Sequence, residues 1–366
     1  MKKKAASLLL CTLLLLALLL SACSAPPQQA PPAQPGNTET EAEGEGTAPE
    51  GEATAATPVE LRIHCDYTED HPTGLLLAEF IERVKNDSGG TVIIKPYYSG
   101  VLGDYTTVFD EVAQGTIDMT FGAPSVSYGE KYNMVVFPYI ASSWNSAADI
   151  YAKGKFIYES YEQMCADINI KLLTLHVVGA GGLASAKMPV NWEQWGVPHD
   201  ILLRVPNTAL FSVVMKEMGY NCQSVNWSEL FTSMQTGVID AFVGGHPPAC
   251  YDQFRDVIKY YIQINNFFEV STISVNLDTF NRLTPEQQNA LTVNADWVFE
   301  QSLERGESVE AEYLQKMRDY GIEVIVPEQA VLDEFAAKCR EIVWPQLKDV
   351  IGEELYDGLV AASASA

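Results

Sequence analysis

From Val59 onward, segments with the pattern of strands alternate with segments with the pattern of helices, and this order limits the possible folds more than any other feature. VELRIHC (59–65) alternates as a strand does, and the helical pattern of TGLLLAEFIERVKND follows it and stops at Gly89-Gly90. TVIIKPYYSG, DYTTVFDEVAQG and TIDMTFG continue as strand, helix and buried strand. This alternation predicts an α/β fold with a mostly parallel sheet.

The part of the chain that begins at Val59 is too long for one core. It has roughly 300 residues, which usually divide into two lobes. From Thr284 the pattern becomes long, charged and helical, and Thr284-Pro-Glu-Gln287 forms a capping box. We therefore predict two lobes followed by long C-terminal helices.

The first residues have the pattern of an export signal. Three lysines (2–4) precede an almost wholly apolar run (5–20), and small residues follow in LSAC (20–23). This predicts a signal peptide over residues 1–22 rather than a transmembrane helix. LSAC resembles the bacterial lipobox, in which the cysteine takes a diacylglycerol, so Cys23 is the expected lipid anchor. The alternative is an ordinary signal peptide in which Cys23 has no such role.

Residues 23–58 differ in composition from the rest of the chain. They are dominated by Pro, Ala, Gly, Thr and Glu, with no aromatic and no basic residue. Such a segment cannot bury enough apolar surface to fold, and its six glutamates repel one another, so we predict an extended, disordered tether. The whole chain has a formal net charge of −25 at pH 7. This excess of negative charge argues against a nucleic-acid partner.

Two stretches of the sequence resemble each other. FDEVAQGTIDMTFGAP (109–124) and FTSMQTGVIDAFVGGHP (231–247) share Phe, Gly, Ile-Asp and a final Gly at matching offsets. Any strand–helix unit could give such a match by chance. If instead each lobe contains one copy, the loops at 122–125 and 244–247 face each other across one cleft, where α/β sheets bind ligands.

Motifs for catalysis are missing from the sequence. We find no GxSxG, HExxH or P-loop, and the histidines have no metal-ligand spacing, so we predict no enzyme activity, cofactor or metal. Five cysteines follow the tether, none in a CxxC pair, and the sequence leaves open whether any of them form disulfide bonds. They are Cys65, Cys165, Cys222, Cys250 and Cys339.

Six fragments occur in the order and spacing of one known family. They are DHP (70–72), YYSGVLGD (97–104), GTIDMTF (115–121), FPYI (137–140), LLRVPN (202–207) and SELFTSMQTGVIDA (228–241). Over about residues 59–360 the chain resembles the solute-binding proteins of tripartite ATP-independent periplasmic (TRAP) transporters, the DctP-like group.

The resemblance implies a periplasmic-binding-protein-like fold of the type II kind. Two α/β lobes would close over a small organic acid, with a long helix across both. We assign residues 59–182 and 270–310 to lobe I, and residues 183–269 and 311–366 to lobe II.

The resemblance also names a ligand-binding arginine, which is Arg204 in this sequence. In the family this residue forms a two-pronged salt bridge with the ligand carboxylate, and a guanidinium fork matches that geometry. Pro206 would stiffen the chain beyond it. Asn207 would cap the following helix and, in some members, touch the ligand. Without the resemblance, an internal salt bridge would be the simpler role for Arg204.

Other ligand contacts implied by the resemblance are weaker. Trp227 would pack on the ligand, Tyr105 would add a polar contact, and the loop after the third strand would offer backbone groups. The further candidates are Ala123, Pro124, Gly244, His64 and Asp66.

The chain departs from the family pattern at two polar positions. Gly244 stands where the family usually has an asparagine, and Gly181 stands where it often has a basic residue. A site that loses both donors should be roomier and less polar. We therefore expect a monocarboxylate with a bulkier or more apolar remainder, not a small dicarboxylate or a sialic acid.

Together these features predict a receptor anchored through Cys23 on the extracytoplasmic face of the cell membrane. It would bind an organic acid and deliver it to the small and large membrane subunits of a TRAP transporter. The alternatives are a sensor lipoprotein for a signalling receptor, an enzyme on the same scaffold and a structural surface lipoprotein.

Overall fold

The computed structural model describes residues 57–365, which belong to one compact unit. The predicted signal peptide, Cys23 and nearly all of the predicted tether lie outside the described residues. The strands are β1 (Val59–Cys65), β2 (Val92–Tyr97), β3 (Met119–Gly122), β4 (Ile170–Ala180), β5 (Gly182–Ser185), β6 (Leu202–Val205), β7 (Asn221–Ser224), β8 (Ala241–Gly245), β9 (Tyr260–Ile262), β10 (Phe268–Asn276) and β11 (Glu323–Ile325).

Helices connect and flank these strands. They are α1 (Pro72–Asp87), α2 (Tyr105–Gln114), α3 (Trp144–Tyr151), α4 (Phe156–Asp167), α5 (Ala209–Glu217), α6 (Trp227–Gln235), α7 (Pro247–Phe254), α8 (Leu277–Asn281), α9 (Pro285–Tyr320), α10 (Gln329–Lys338), α11 (Trp344–Ile351) and α12 (Glu353–Ser365). A 3₁₀ helix covers Glu130–Val136, and a π-helical turn, Cys339–Val343, joins α10 to α11.

The described strands form two sheets, as expected for a two-lobed α/β protein. One sheet has five strands in the order β2-β1-β3-β10-β4, and the other has six in the order β11-β9-β5-β8-β6-β7. The chain crosses from the first sheet to the second between β4 and β5, which Gly181 alone separates, and it returns between β9 and β10. It crosses to the second sheet again between β10 and β11, a connection that includes α9.

The prediction of a mostly parallel sheet is wrong, because both sheets are mixed. Among the described strands, five pairings are parallel and four are antiparallel. All four antiparallel pairings involve β5 or β10. These strands follow the first two of the three crossings and run antiparallel to both of their neighbours, whereas β11, after the third crossing, pairs parallel with β9.

The two similar stretches of sequence form similar units. In each, a helix ends at a glycine with a left-handed backbone and a central strand follows: α2, Gly115 (φ 78°) and β3 in one sheet, α6, Gly237 (φ 72°) and β8 in the other. A residue with a side chain is strained at such a φ, which explains the glycine at both turns.

The largest of three apolar clusters in residues 57–365 contains residues of both sheets. It includes Leu175 of β4 and Leu203 of β6, together with Phe335 and Trp344 from the C-terminal helices. Those helices pack against α4 as well as α5, and the Trp344 indole donates to the carbonyl of Pro138 at 2.9 Å. The division into lobes at the residues given above remains a prediction.

Helix α9 is the long helix expected after Thr284. The predicted capping box is present: Thr284 accepts from the Gln287 amide, and the Gln287 side chain accepts from the Thr284 amide. The helix packs against α1, α3, α7 and β4. Within residues 57–365 we find no helix whose length and hydropathy would let it cross a membrane.

The five cysteines in the described part of the chain are free thiols. Four of them are buried, and Cys222 is half-buried. Burial raises the pKa of the Cys65 thiol to about 12, so this group stays neutral and acts as a small apolar side chain.

Gly306 lets α9 pack closely on Trp144 of α3. A methyl group at this position would overlap the indole ring. Alanine is a better helix former than glycine by about 1 kcal/mol, but overpacking costs about 1–3 kcal/mol. We expect Gly306→Ala to lower the free energy of unfolding, measured by urea titration. Ser308→Ala, at an exposed position of the same helix, is the control and should cause no loss. A Gly306→Ala protein more stable than the wild type would contradict the close packing.

Candidate functional site

A cavity of about 460 Å³ lies where loops of both sheets meet. The size suits a small organic molecule. The five-stranded sheet contributes residues that follow β1 and β3 and residues of β10, and the six-stranded sheet contributes residues that follow β6 and β8. Seven of the nine ligand-binding candidates predicted from the sequence line it: Asp66, Tyr105, Ala123, Pro124, Arg204, Trp227 and Gly244.

Arg204 reaches the cavity from β6 and is held by backbone carbonyls. Its side chain is 2 % exposed. Nε donates to the carbonyl of Val225 at 2.8 Å, and Nη1 donates to the carbonyl of Val243 at 3.1 Å. Nη2 has no hydrogen-bond partner within residues 57–365. The protein therefore fixes the guanidinium plane and leaves donors for a ligand.

The charge of Arg204 is not paired by the described part of the protein. No carboxylate in residues 57–365 lies within ion-pair distance of it, which removes the internal salt bridge that the sequence left open. Burial lowers the pKa of Arg204 to about 10, and the neighbouring Tyr105 and Asp104 partly oppose this shift. The group stays positive at neutral pH, so the cavity contains a dry cation. An anionic ligand is the natural partner of such a group.

Trp227 stands beside this guanidinium, at the start of α6. The centre of its ring is 5.6 Å from Arg204 Cζ, which is within cation–π range. Its Nε1 donates to Gln253 Oε1 at 3.0 Å, which fixes the orientation of the ring. The indole therefore forms a rigid wall next to the buried charge.

Gly244 gives room to the same arginine. Its φ is +95°, and a Cβ atom there would lie 3.3 Å from Arg204 Nη1 and 3.0 Å from Pro206 Cγ. A side chain at this position would be strained and would crowd the guanidinium. The glycine thus keeps Arg204 accessible rather than supplying a contact of its own.

Phe267 fills the space that a side chain at Gly181 would need. A Cβ atom at Gly181 would overlap the Phe267 ring. This ring lines the cavity and packs edge-on against Phe211, with ring centres 4.8 Å apart. From the sequence, Gly181 was notable only because it lacks the basic side chain that the family often has. In the structure, the Phe267 ring occupies this space and forms an aromatic wall of the cavity.

Asp66 is fixed by two hydrogen bonds at the end of β1. Oδ1 lies 2.7 Å from His64 Nε2, and Oδ2 accepts from the amide of Ala123 at 2.8 Å. His64 is fully buried and does not line the cavity. It contacts Asp66 from behind the cavity, whereas the sequence analysis named it as a candidate ligand contact.

Asn207 does not have the place predicted for it. It is exposed, is absent from the cavity lining and accepts a long hydrogen bond from Ser224 Oγ at 3.4 Å. Thr208 caps α5 instead, because its hydroxyl oxygen accepts from the Leu210 amide. Glu130, from the distant 3₁₀ helix, accepts from the Thr208 hydroxyl at 2.7 Å and so stabilises this cap.

Sequence reasoning missed a buried polar network behind the cavity. Glu269 of β10 lines the cavity and accepts from the Tyr67 hydroxyl at 2.8 Å. Its other oxygen lies 2.5 Å from His246 Nδ1, and His246 Nε2 lies 3.2 Å from His71 Nε2. No motif marks these residues, because they come together only when both sheets are in place. Within the described residues, no group of side chains could hold a metal ion.

Two histidines of this region are held neutral by burial. Loss of solvent, with a smaller contribution from nearby His246, lowers the pKa of His176 to about 3 and that of His71 well below its usual value. Such a group destabilises the folded state as pH falls, because the unfolded chain takes up the proton first.

We expect the free energy of unfolding to be highest above pH 6.5 and to fall as pH decreases from there. Each of the two histidines contributes a slope of at most about 1.4 kcal/mol per pH unit. The His176→Asn variant should show a shallower fall between pH 6.5 and 5 than the wild type in urea unfolding series. Equal slopes would mean that His176 binds its proton as easily in the folded state as in the unfolded one.

Comparison with known proteins agrees with this architecture. The family model DctP, described as bacterial extracellular solute-binding protein, family 7, matches residues 65–348. A solute-binding protein from Chromohalobacter salexigens is 26 % identical over 262 residues, which cover 69 % of this chain and 75 % of that protein.

Two solved structures share the fold. The sugar acid binding protein DctPAm from Advenella mimigardefordensis, in complex with galactonate, has a TM-score of 0.76 at 18 % identity and covers 85 % of this chain and 99 % of its own. A TRAP solute-binding protein from Haemophilus influenzae with bound L-gulonate has a TM-score of 0.74 at 22 % identity, with 83 % and 99 % covered. The predicted resemblance is confirmed, and so is the expectation of a binding protein rather than an enzyme. The chain belongs to the DctP family of bacterial extracellular solute-binding proteins.

Proposed function

We propose that this protein is an extracytoplasmic receptor that binds the carboxylate of an organic acid through Arg204 and delivers the acid to TRAP membrane subunits. The observation that carries the proposal is the buried guanidinium on the cavity, which has no ion-pair partner and an unused Nη2 among the residues that the structure describes. A carboxylate would supply both the missing charge and the missing acceptor, and the fork geometry allows two parallel hydrogen bonds.

Ligands of the related proteins support an organic acid. The relatives from Advenella mimigardefordensis and Haemophilus influenzae hold galactonate and L-gulonate, each of which has one carboxylate. This protein shares their fold. Among the described residues that line its cavity there is one cation, Arg204, which suits a ligand with one carboxylate better than a ligand with two.

The walls of the cavity support a ligand whose remainder is apolar. Five aromatic side chains line it in addition to the tyrosines, and Phe267 lies where a basic side chain was expected in the family pattern. Aromatic surfaces favour apolar groups by burial and by ring stacking. The five are Phe211, Trp227, Phe231, Phe254 and Phe267.

The anchor is a further part of the proposal and rests on the sequence. The leader ends in LSAC (20–23), and the acidic segment up to residue 58 would tether the binding unit at a distance from the membrane. A receptor held in this way would stay close to membrane subunits that accept its ligand.

Replacement of Arg204 by lysine tests the proposed contact. Lysine keeps the charge but loses the fork, so Arg204→Lys should weaken the binding of an acid found by thermal-shift screening by about 1.5–3 kcal/mol. Calorimetry would measure the change. Arg305→Lys, which alters an exposed ion pair with Glu79, is the control and should bind normally. An unchanged dissociation constant for Arg204→Lys would remove Arg204 from the site.

Metabolic labelling with a palmitate analogue tests the lipid anchor. In bacterial cells that express the full chain, we expect the wild type to be labelled and Cys23→Ala to be unlabelled, because the thiol is the acylated group. Cys11→Ala, inside the leader, is the control and should keep the label. Label on Cys23→Ala would refute the assignment.

A further inference from the structure

The charges around the cavity do not suit a ligand that has a carboxylate alone. Among the described lining residues, Arg204 is the single cation, whereas three side chains are carboxylates. Arg204 comes from the six-stranded sheet, and Asp66, Asp104 and Glu269 all come from the part of the chain that builds the five-stranded sheet. A plain monoanion would neutralise Arg204 but add its charge to a site that already holds more negative than positive groups.

Two of these carboxylates have unused acceptor capacity that reaches the cavity. The side chains of Asp66 and Glu269 are 22 % and 17 % exposed. Each receives two hydrogen bonds within the described residues, one on each oxygen. A carboxylate offers about four lone-pair sites, so each of them can still accept from a ligand.

The network behind Glu269 keeps this side chain an acceptor. His71 Nδ1 accepts from the Thr73 amide at 3.1 Å, so in the neutral ring the proton is on Nε2 and points to His246 Nε2. His246 then carries its proton on Nδ1 and donates it to Glu269, as the Tyr67 hydroxyl also does. Two donors are thus directed at Glu269, one at each oxygen, and its remaining lone pairs are left to accept from a ligand.

We propose that the ligand is a zwitterion: an amino acid with an apolar side chain, whose carboxylate binds Arg204 and whose ammonium group binds Asp66 and Glu269. This inference rests on the proposed function of Arg204 and narrows it to a substrate class. An ammonium group has three donors and no acceptor, which matches two part-exposed carboxylates. The apolar side chain of the ligand packs against Phe267 and the other aromatic walls.

Matched pairs of ligands test the proposal on the full-length protein. L-phenylalanine is compared with 3-phenylpropionate and L-leucine with 4-methylpentanoate, so that each pair differs in the amino group. D-galactonate is included as a polyhydroxy acid. By calorimetry at pH 7.5 we expect at least one amino acid to bind 10-fold or more tightly than its partner without the amine, and more tightly than D-galactonate.

The outcomes separate this inference from the proposed function. If 3-phenylpropionate, 4-methylpentanoate or D-galactonate binds as tightly as the amino acids or more tightly, the zwitterion is wrong and the acid receptor stands. If none of the five compounds binds, the zwitterion proposal fails, and the acid receptor is then decided by the thermal-shift screen and the Arg204→Lys variant.

Variants of the carboxylates give a second test. Glu269→Gln and Asp66→Asn should each reduce the preference for the amine-bearing member of the pair at least 3-fold, because they remove the charge that the ammonium meets. Glu310→Gln is the matched control, since Glu310 is a largely buried carboxylate bonded to Gln263 and the Ala180 amide and does not line the cavity. A preference unchanged in Glu269→Gln and Asp66→Asn would overturn the inference.

Discussion

A buried guanidinium, which no carboxylate in residues 57–365 neutralises, is the constraint on which the site depends. Moving a charge out of water is costly unless hydrogen bonds and an opposite charge compensate for it. In this protein two backbone carbonyls compensate for part of the cost at Arg204, and no carboxylate within the described residues completes the pairing. Gly244 keeps the space around the group open and Trp227 lines its side. An anionic ligand would supply the negative charge that Arg204 lacks, and it would explain why the space around the guanidinium is kept open.

The cavity forms where the two sheets, between which the chain passes three times, meet. The crossing from β4 to β5 and the return to β10 place both sheets against one another with a shared apolar cluster. In the two similar helix–strand units, α2–β3 and α6–β8, Ala123 just after β3 and Gly244 near the end of β8 line the same cavity. One wall carries carboxylates and the other carries the guanidinium, so a ligand between them would be oriented as well as bound.

Structural features that depend on neighbouring residues, such as caps and turns, were predicted well from the sequence. Features that depend on contacts between distant parts of the chain were not. The capping box at Thr284 and the glycine turn at Gly115 depend on residues within one helical turn, so their patterns were sufficient. Strand direction depends on where the chain crosses between sheets, which no local pattern records. The sequence placed the cap of α5 at Asn207, but the structure has it at Thr208, whose hydroxyl donates to Glu130, far away in the sequence. Glu269 meets its partners Tyr67 and His246 only through tertiary structure, so it went unnoticed.

The close fit of Gly181 and Phe267 limits the order in which the site can change. A side chain at 181 would collide with the Phe267 ring, so a basic residue there is tolerated only after position 267 has become smaller. The two positions are therefore expected to be energetically coupled, and their effects should not add. A protein with this pair could gain a basic side chain at position 181 after Phe267 has been replaced by a smaller residue. If position 181 changed first, the new side chain would collide with the Phe267 ring, and the intermediate would be overpacked. The proposed preference for an apolar ligand would in this sense be protected by packing and not by ligand contacts alone.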